Sequence, residues 1–83
     1  MRHARPDDLN RVEPLLETLR AVPGLTERKR GIFYKGAKAF LHFHEHDGAL
    51  YADVRGAEDW ERMDAARRGW TKIAARARLL ARG

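Results

Sequence analysis

The 83-residue chain contains no cysteine and no serine. Without cysteine, disulfides, thiolate metal sites and thiol nucleophiles are all excluded, and the chain is compatible with a reducing compartment. Without serine, the hydroxyls left for nucleophilic catalysis are those of Thr18, Thr26 and Thr71. Thr18 falls inside an expected helix and Thr26 lies far from any expected base, so no base, orienting acid and hydroxyl come together. A glycine-rich phosphate loop is also missing. The expectation is a protein that is not an enzyme, with metal-assisted activity the one catalytic alternative.

No apolar run approaches the ~18 residues that crossing a membrane requires. Met1–Asp8 lacks the apolar stretch of a secretory signal. These absences predict a cytoplasmic protein with no membrane partner. The basic excess is uneven along the chain. Residues 65–83 carry Arg67, Arg68, Lys72, Arg76, Arg78 and Arg82 and no carboxylate, within a chain of net charge +5. Such a segment favours anionic partners, nucleic acid first. The bland alternative is an arginine-rich composition that raises the pI with no nucleic acid involved.

What is present reads as one small domain over 1–83, with 1–6 a frayed leader. Asp7 and Asp8 can cap a helix. Leu9, Val12, Leu16 and Leu19 then share one helical face, widened by Leu15. Pro14 either kinks this helix or stands in the first turn of its main part. Pro23-Gly24 ends it, and 25–30 reads as a basic loop. Three runs rich in β-formers follow, 32–34, 39–44 and 50–54, separated by Gly36-Ala37 and Asp47-Gly48.

Two-residue turns predict pairs running from His46–Ala49 to Leu41–Val54 in the second hairpin. In the first they predict Lys35–Lys38, Tyr34–Ala39, Phe33–Phe40 and Ile32–Leu41. Alternation then places Ile32, Leu41, Phe43, Leu50, Ala52 and Val54 on a core face. Phe33, Phe40, His42, His44, His46, Tyr51, Asp53 and Arg55 fall on the other. Residues 57–69 read as helix, with Glu58 and Asp59 in the first turn. From Trp70 the period is helical again, with Arg68, Lys72 and Arg76 in an i, i+4 row. Whether 57–82 is one helix or two stays open at Gly69. The expected fold is α+β: an N-terminal helix, a three-stranded antiparallel β-meander and one or two C-terminal helices.

Two surfaces could carry function. His42, His44 and His46 recur at every second residue, which brings neighbouring imidazoles roughly 6.5–7 Å apart on one strand face. Two such rings can reach one ion, and Zn²⁺ or a late transition metal suits them. Asp53, opposite His42, could orient the ring or ligate. The plain alternative is a half-exposed face with a cross-strand charge pair. The second surface combines rings and cations. Phe33, Phe40, Tyr51 and the histidines offer stacking platforms for single-stranded nucleic acid. Arg28, Lys29, Arg30, Lys35, Lys38 and Arg55 flank them, and Arg68, Lys72 and Arg76 form a further basic row for phosphates. The ordinary alternative buries Phe33 and Phe40 under a helix, with Arg55 over Phe40, and leaves the basic row as a solvated face.

The order of parts is also familiar. A helix ends in Leu19-Arg20-Ala21-Val22-Pro23-Gly24, a basic link leads to Gly31-Ile-Phe-Tyr-Lys-Gly-Ala-Lys-Ala-Phe, and a hairpin precedes a segment with Trp60 and then Gly69-Trp70. Over residues 8–75 this resembles the MmcQ/YjbR-like family of small bacterial proteins. The resemblance implies a helix, an antiparallel sheet and packed helices in a shape likened to double-wing DNA-binding modules, and DNA as partner. It supplies no catalytic residue. The chain departs from the family in its His-rich strand. It departs again after Gly69-Trp70, where basic helix stands in place of a further strand. The leading expectation is a nucleic-acid-binding module for DNA or RNA without a cofactor. The alternatives are a Zn²⁺-binding sheet protein, and a structural or docking domain, monomeric or homodimeric.

Overall fold

The leucine stripe of the N-terminal region folds as two short helices rather than one. The computed structural model describes residues 2–82 and places α1 over Pro6–Asn10 and α2 over Glu13–Arg20. Pro14 sits in the first turn of α2, where its missing N–H costs no helical hydrogen bond. Asp8 accepts the Arg5 backbone N–H at 2.9 Å and so fixes the entry to α1. Leu9, Val12, Leu15, Leu16 and Leu19 are all buried. Each such side chain contributes about 2 kcal/mol by leaving water.

A mixed-length antiparallel sheet faces these helices. Its strands are β1 (Arg2–His3), β2 (Leu25–Lys29), β3 (Ile32–Lys35), β4 (Lys38–His46), β5 (Ala49–Arg55) and β6 (Trp60–Asp64). The main path runs β2-β3-β4-β5-β6, and β1 pairs with β4. A 3₁₀ turn, Arg67–Gly69, leads into α3, Trp70–Ala81. Ile73, Ala74, Ala77 and Ala81 of α3 are buried. The core lies between α2 with α3 on one side and Phe33, Leu41, Phe43, Leu50, Ala52 and Val54 of the sheet on the other. Among the described residues no helix is long and apolar enough to cross a membrane.

This architecture corrects the expected three-stranded meander, which is a six-stranded sheet. The basic loop at 25–30 holds strand β2, the leader contributes β1, and the helix expected over 57–69 is replaced by a bend, strand β6 and the 3₁₀ turn. The separate C-terminal helix begins at Trp70. Gly69 is required by a close approach: a Cβ there would run into the Asp64 carbonyl oxygen.

The second hairpin adopts the predicted register throughout, from His46↔Ala49 to Leu41↔Val54. Asp47 and Gly48 both take positive φ, 51° and 81°, as a tight two-residue hairpin turn demands. The first hairpin begins as predicted with Lys35↔Lys38 and Tyr34↔Ala39, then slips to Phe33↔Leu41. Phe40 is the extra residue of this bulge. The slip turns Phe33 to the core, where both Phe33 and Phe40 are buried. They are not stacking platforms, and Arg55 lies over Trp60 rather than over Phe40.

Candidate metal centre

The face of the sheet away from the helical core carries every second residue of β4 and β5, among them His42, His44, Tyr51 and Asp53. Strand β1 lies beside the second half of β4, with His3 opposite His44 and Arg2 opposite Glu45. Pairing partners point to the same face, so His3 joins His44 and His42. Strand β1 is held in place by three contacts. Arg2 bonds Asp8 at 2.9 Å and Glu45 at 3.0 Å, and the Ala4 N–H donates to the Phe43 carbonyl at 3.1 Å.

Three imidazoles therefore meet. Ring centroids of His3 and His44, and of His42 and His44, are 4.7 Å apart, and those of His3 and His42 are 5.8 Å apart. One ring nitrogen from each lies within 4.8 Å of the others. Tetrahedral Zn²⁺ with Zn–N bonds of about 2.05 Å holds its nitrogens about 3.4 Å apart. Modest ring rotations thus complete the set. Trp60 of β6 closes one side, edge-on to His42 at 4.7 Å.

Two observations mark this cluster as more than neighbouring rings. His42 Nδ1 and His44 Nδ1 are buried and make no hydrogen bond among the described residues. A buried polar atom left so costs about 1–3 kcal/mol. His44 Nδ1 is only 2.8 Å from Asp53 Oδ2. That is an ion-pair distance, but without the alignment of a ring N–H hydrogen bond. Burial also lowers the His42 pKa below 6.5, the neighbouring His44 adding to the effect. The ring is therefore held neutral at pH 7, the state in which imidazole binds metal.

Behind His44 stands Asp53, with a side chain only 6% exposed. Arg62 of β6 binds it in a fork, Nε to Oδ1 at 2.8 Å and Nη2 to Oδ2 at 2.9 Å. Burial pushes the Asp53 carboxyl up, but Arg62 and then His44 outweigh it, and the net displacement is downward. The carboxylate is thus ionised and placed to orient an imidazole.

The predicted metal set is altered in one member. His42, His44 and Asp53 come together as expected, though the Asp53 carboxylate lies against the His44 ring while pairing in register with His42. His46 is not in the cluster. Its side chain is 52% exposed, at the far end of β4, with Asp47 at 3.3 Å. His3 takes its place. Sequence reasoning dismissed His3 with the leader, and the one signal it offered was being the remaining histidine of four.

Comparison with family models, curated proteins and solved structures finds no match for this chain.

The predicted nucleic-acid residues are scattered, and most have internal partners. Arg28 lies over Tyr34 and donates to the Gly36 carbonyl, Arg30 pairs with Glu13, and Lys35 donates to the Leu80 carbonyl. Arg55 donates to the Ala39 carbonyl, Arg68 pairs with Asp64, and Arg76 forms a fork with Glu61 at 2.6 and 2.7 Å. Strand β6 thus brings acids to a helix that looked free of them. Lys29, Lys38 and Lys72 make no side-chain hydrogen bond or ion pair among the described residues.

Proposed function

We propose that this protein binds a transition-metal ion, Zn²⁺ best fitting the donor set, through His3, His42 and His44. The observation that carries the reading is the convergence of three imidazoles from two strands, with the buried His42 Nδ1 left without a hydrogen bond among the described residues. Neutral nitrogen donors without thiolates suit Zn²⁺, Cu²⁺ or Ni²⁺ and disfavour Mg²⁺ and Ca²⁺. His44 ligates through Nε2, and a small ring rotation turns its Nδ1–H onto Asp53. That gives the carboxylate–histidine–metal arrangement in which the carboxylate fixes the tautomer and strengthens the donor.

Three protein ligands leave the fourth position of a tetrahedral ion to water or to a bound molecule. The site lies on an open sheet face, with His3 exposed at its rim. Binding and release are therefore accessible. The ion also joins β1 to β4, so metal occupancy and the order of the N-terminal strand are linked.

Calorimetric titration of Zn²⁺ tests the reading. Near-stoichiometric binding is expected for the unmodified chain, at least tenfold weaker binding for His3→Ala, His42→Ala and His44→Ala, and unchanged binding for His46→Ala, in line with the loss of a primary donor. Equal loss in His46→Ala, or no heat at micromolar zinc, contradicts it.

A further inference from the structure

The second feature lies at the other end of the sheet. Phe40, Leu79 and Leu80 line a cleft of about 470 Å³ between the bulged start of β4 and the C-terminal turn of α3. Lys35, Lys38 and Arg55 stand in the same lining. This volume lies within the ~300–1,000 Å³ range of small-molecule sites, which pair apolar walls with a few placed polar groups. Leu79 is 53% exposed and is the one large apolar side chain left in water among the described residues. The bulge sets Phe40 as an extra residue near the turn that Lys35 and Lys38 flank.

The charges select the occupant. Among the described residues three cations line the cleft and no carboxylate does. Lys35 gives one of its donors to the Leu80 carbonyl at 3.2 Å, and Arg55 gives its Nε to the Ala39 carbonyl. Both keep further N–H groups free to turn inward. Lys38 is exposed and makes no side-chain hydrogen bond or ion pair among the described residues. The Glu61 carboxylate lies behind Gly56 of the lining but is forked by Arg76, and Glu58 and Asp59 stand to one side. They line a neighbouring recess that shares Lys38 and Arg55 but not Lys35. Lys35 therefore marks the end of the cleft where an anionic head is favoured most.

We infer that this cleft binds a free anionic amphiphile, a carboxylate with a short acyl chain: the chain against Phe40, Leu79 and Leu80, the head on Lys35 and Lys38. This site is separate from the histidine cluster and does not depend on metal.

Titration with sodium decanoate, kept below its aggregation concentration and followed by methyl and amide NMR, tests it. The expected result is saturable shifts of the Leu79 and Leu80 methyls and the Lys38 amide. Decanol and decyltrimethylammonium should bind at least tenfold more weakly. Lys38→Gln, at an exposed position, and the double variant Lys35→Gln/Lys38→Gln should weaken decanoate stepwise, by about tenfold in the double variant, as expected for two partly screened charge contacts. The histidine response to zinc should be unchanged in both. No saturable shift at millimolar decanoate overturns the inference, as does equal binding of decanol. A response only to anionic vesicles, or one explained by dimerisation over Leu79 in sedimentation, overturns it too.

Discussion

Asp53 is nearly sealed from water on a sheet face that is otherwise open, and both of its oxygens are engaged. Its neighbours divide the work. Arg62 makes ionisation of a buried carboxyl favourable, and His44 receives the orienting contact. Replacing Asp53 with Asn keeps the size and removes the charge. The expected result is a loss of about 1–2 kcal/mol in denaturant unfolding, because Arg62 is half exposed and recovers water when its partner is gone. A parallel loss of about tenfold in zinc affinity is expected, the usual effect of removing the group that orients a metal-bound imidazole. Unchanged affinity in Asp53→Asn would mean that the carboxylate serves only the fold.

At the scale of the element, β1 is the most dependent part. Two residues of strand bring one ligand, and the pairing is secured by Arg2 and by the Ala4 amide. A metal bridging His3 to β4 opposes opening of this strand. Zinc should therefore slow hydrogen exchange at the Ala4 amide, which bonds the Phe43 carbonyl, while leaving the Leu16 amide inside α2 little changed. Exchange at Ala4 that ignores zinc would place the ion elsewhere.

Legibility followed the same elements. The hairpin of β4 and β5 was readable because Asp47-Gly48 fixes its turn and alternation fixes its faces, and every pair predicted for it is present. Of the three strands that escaped notice, β2 and β6 are the two ends of the main path of the sheet. Leu25-Thr26-Glu27-Arg28-Lys29 and Trp60-Glu61-Arg62-Met63-Asp64 are rich in charge, as edge strands are when they must not recruit another chain. That charge hides the alternation. Glu58 and Asp59, read as a helix start, sit instead in the turn before β6. The bulge at Phe40 had no sequence signal, and it alone moved Phe33 to the core. His3 was invisible for a different reason: its partners are some forty residues away, and only the β1–β4 pairing supplies the third ligand.

Across the molecule several carboxylates are paired in the folded chain and become liabilities in acid. Glu13 is kept below its usual range by Arg30 and Arg20, and Glu61 by Arg76. Asp8 is lowered by the Arg5 backbone N–H, against the effect of burial, with Arg2 assisting. Each folded value lies below the unfolded one, so the unfolded chain takes up protons first as pH falls. Their stabilisation is complete above the unfolded carboxylate values of about 4 and is lost as pH drops through the folded ones. His42 has the same sign for another cause. Burial lowers it below 6.5, so its contribution begins to be lost below that pH. Metal-free protein should therefore show a shallow fall in its urea midpoint from about pH 6.5 and a steeper one below about 4. A midpoint that rises on acidification would contradict these assignments.

These scales meet in the claim that three imidazoles from two strands form one metal site. Following the four histidine rings by ¹H–¹⁵N NMR during zinc addition tests it most directly. The rings of His3, His42 and His44 should move together and saturate at one equivalent, with His46 unmoved. A titration in which His46 shifts with His44 while His3 stays still would contradict it.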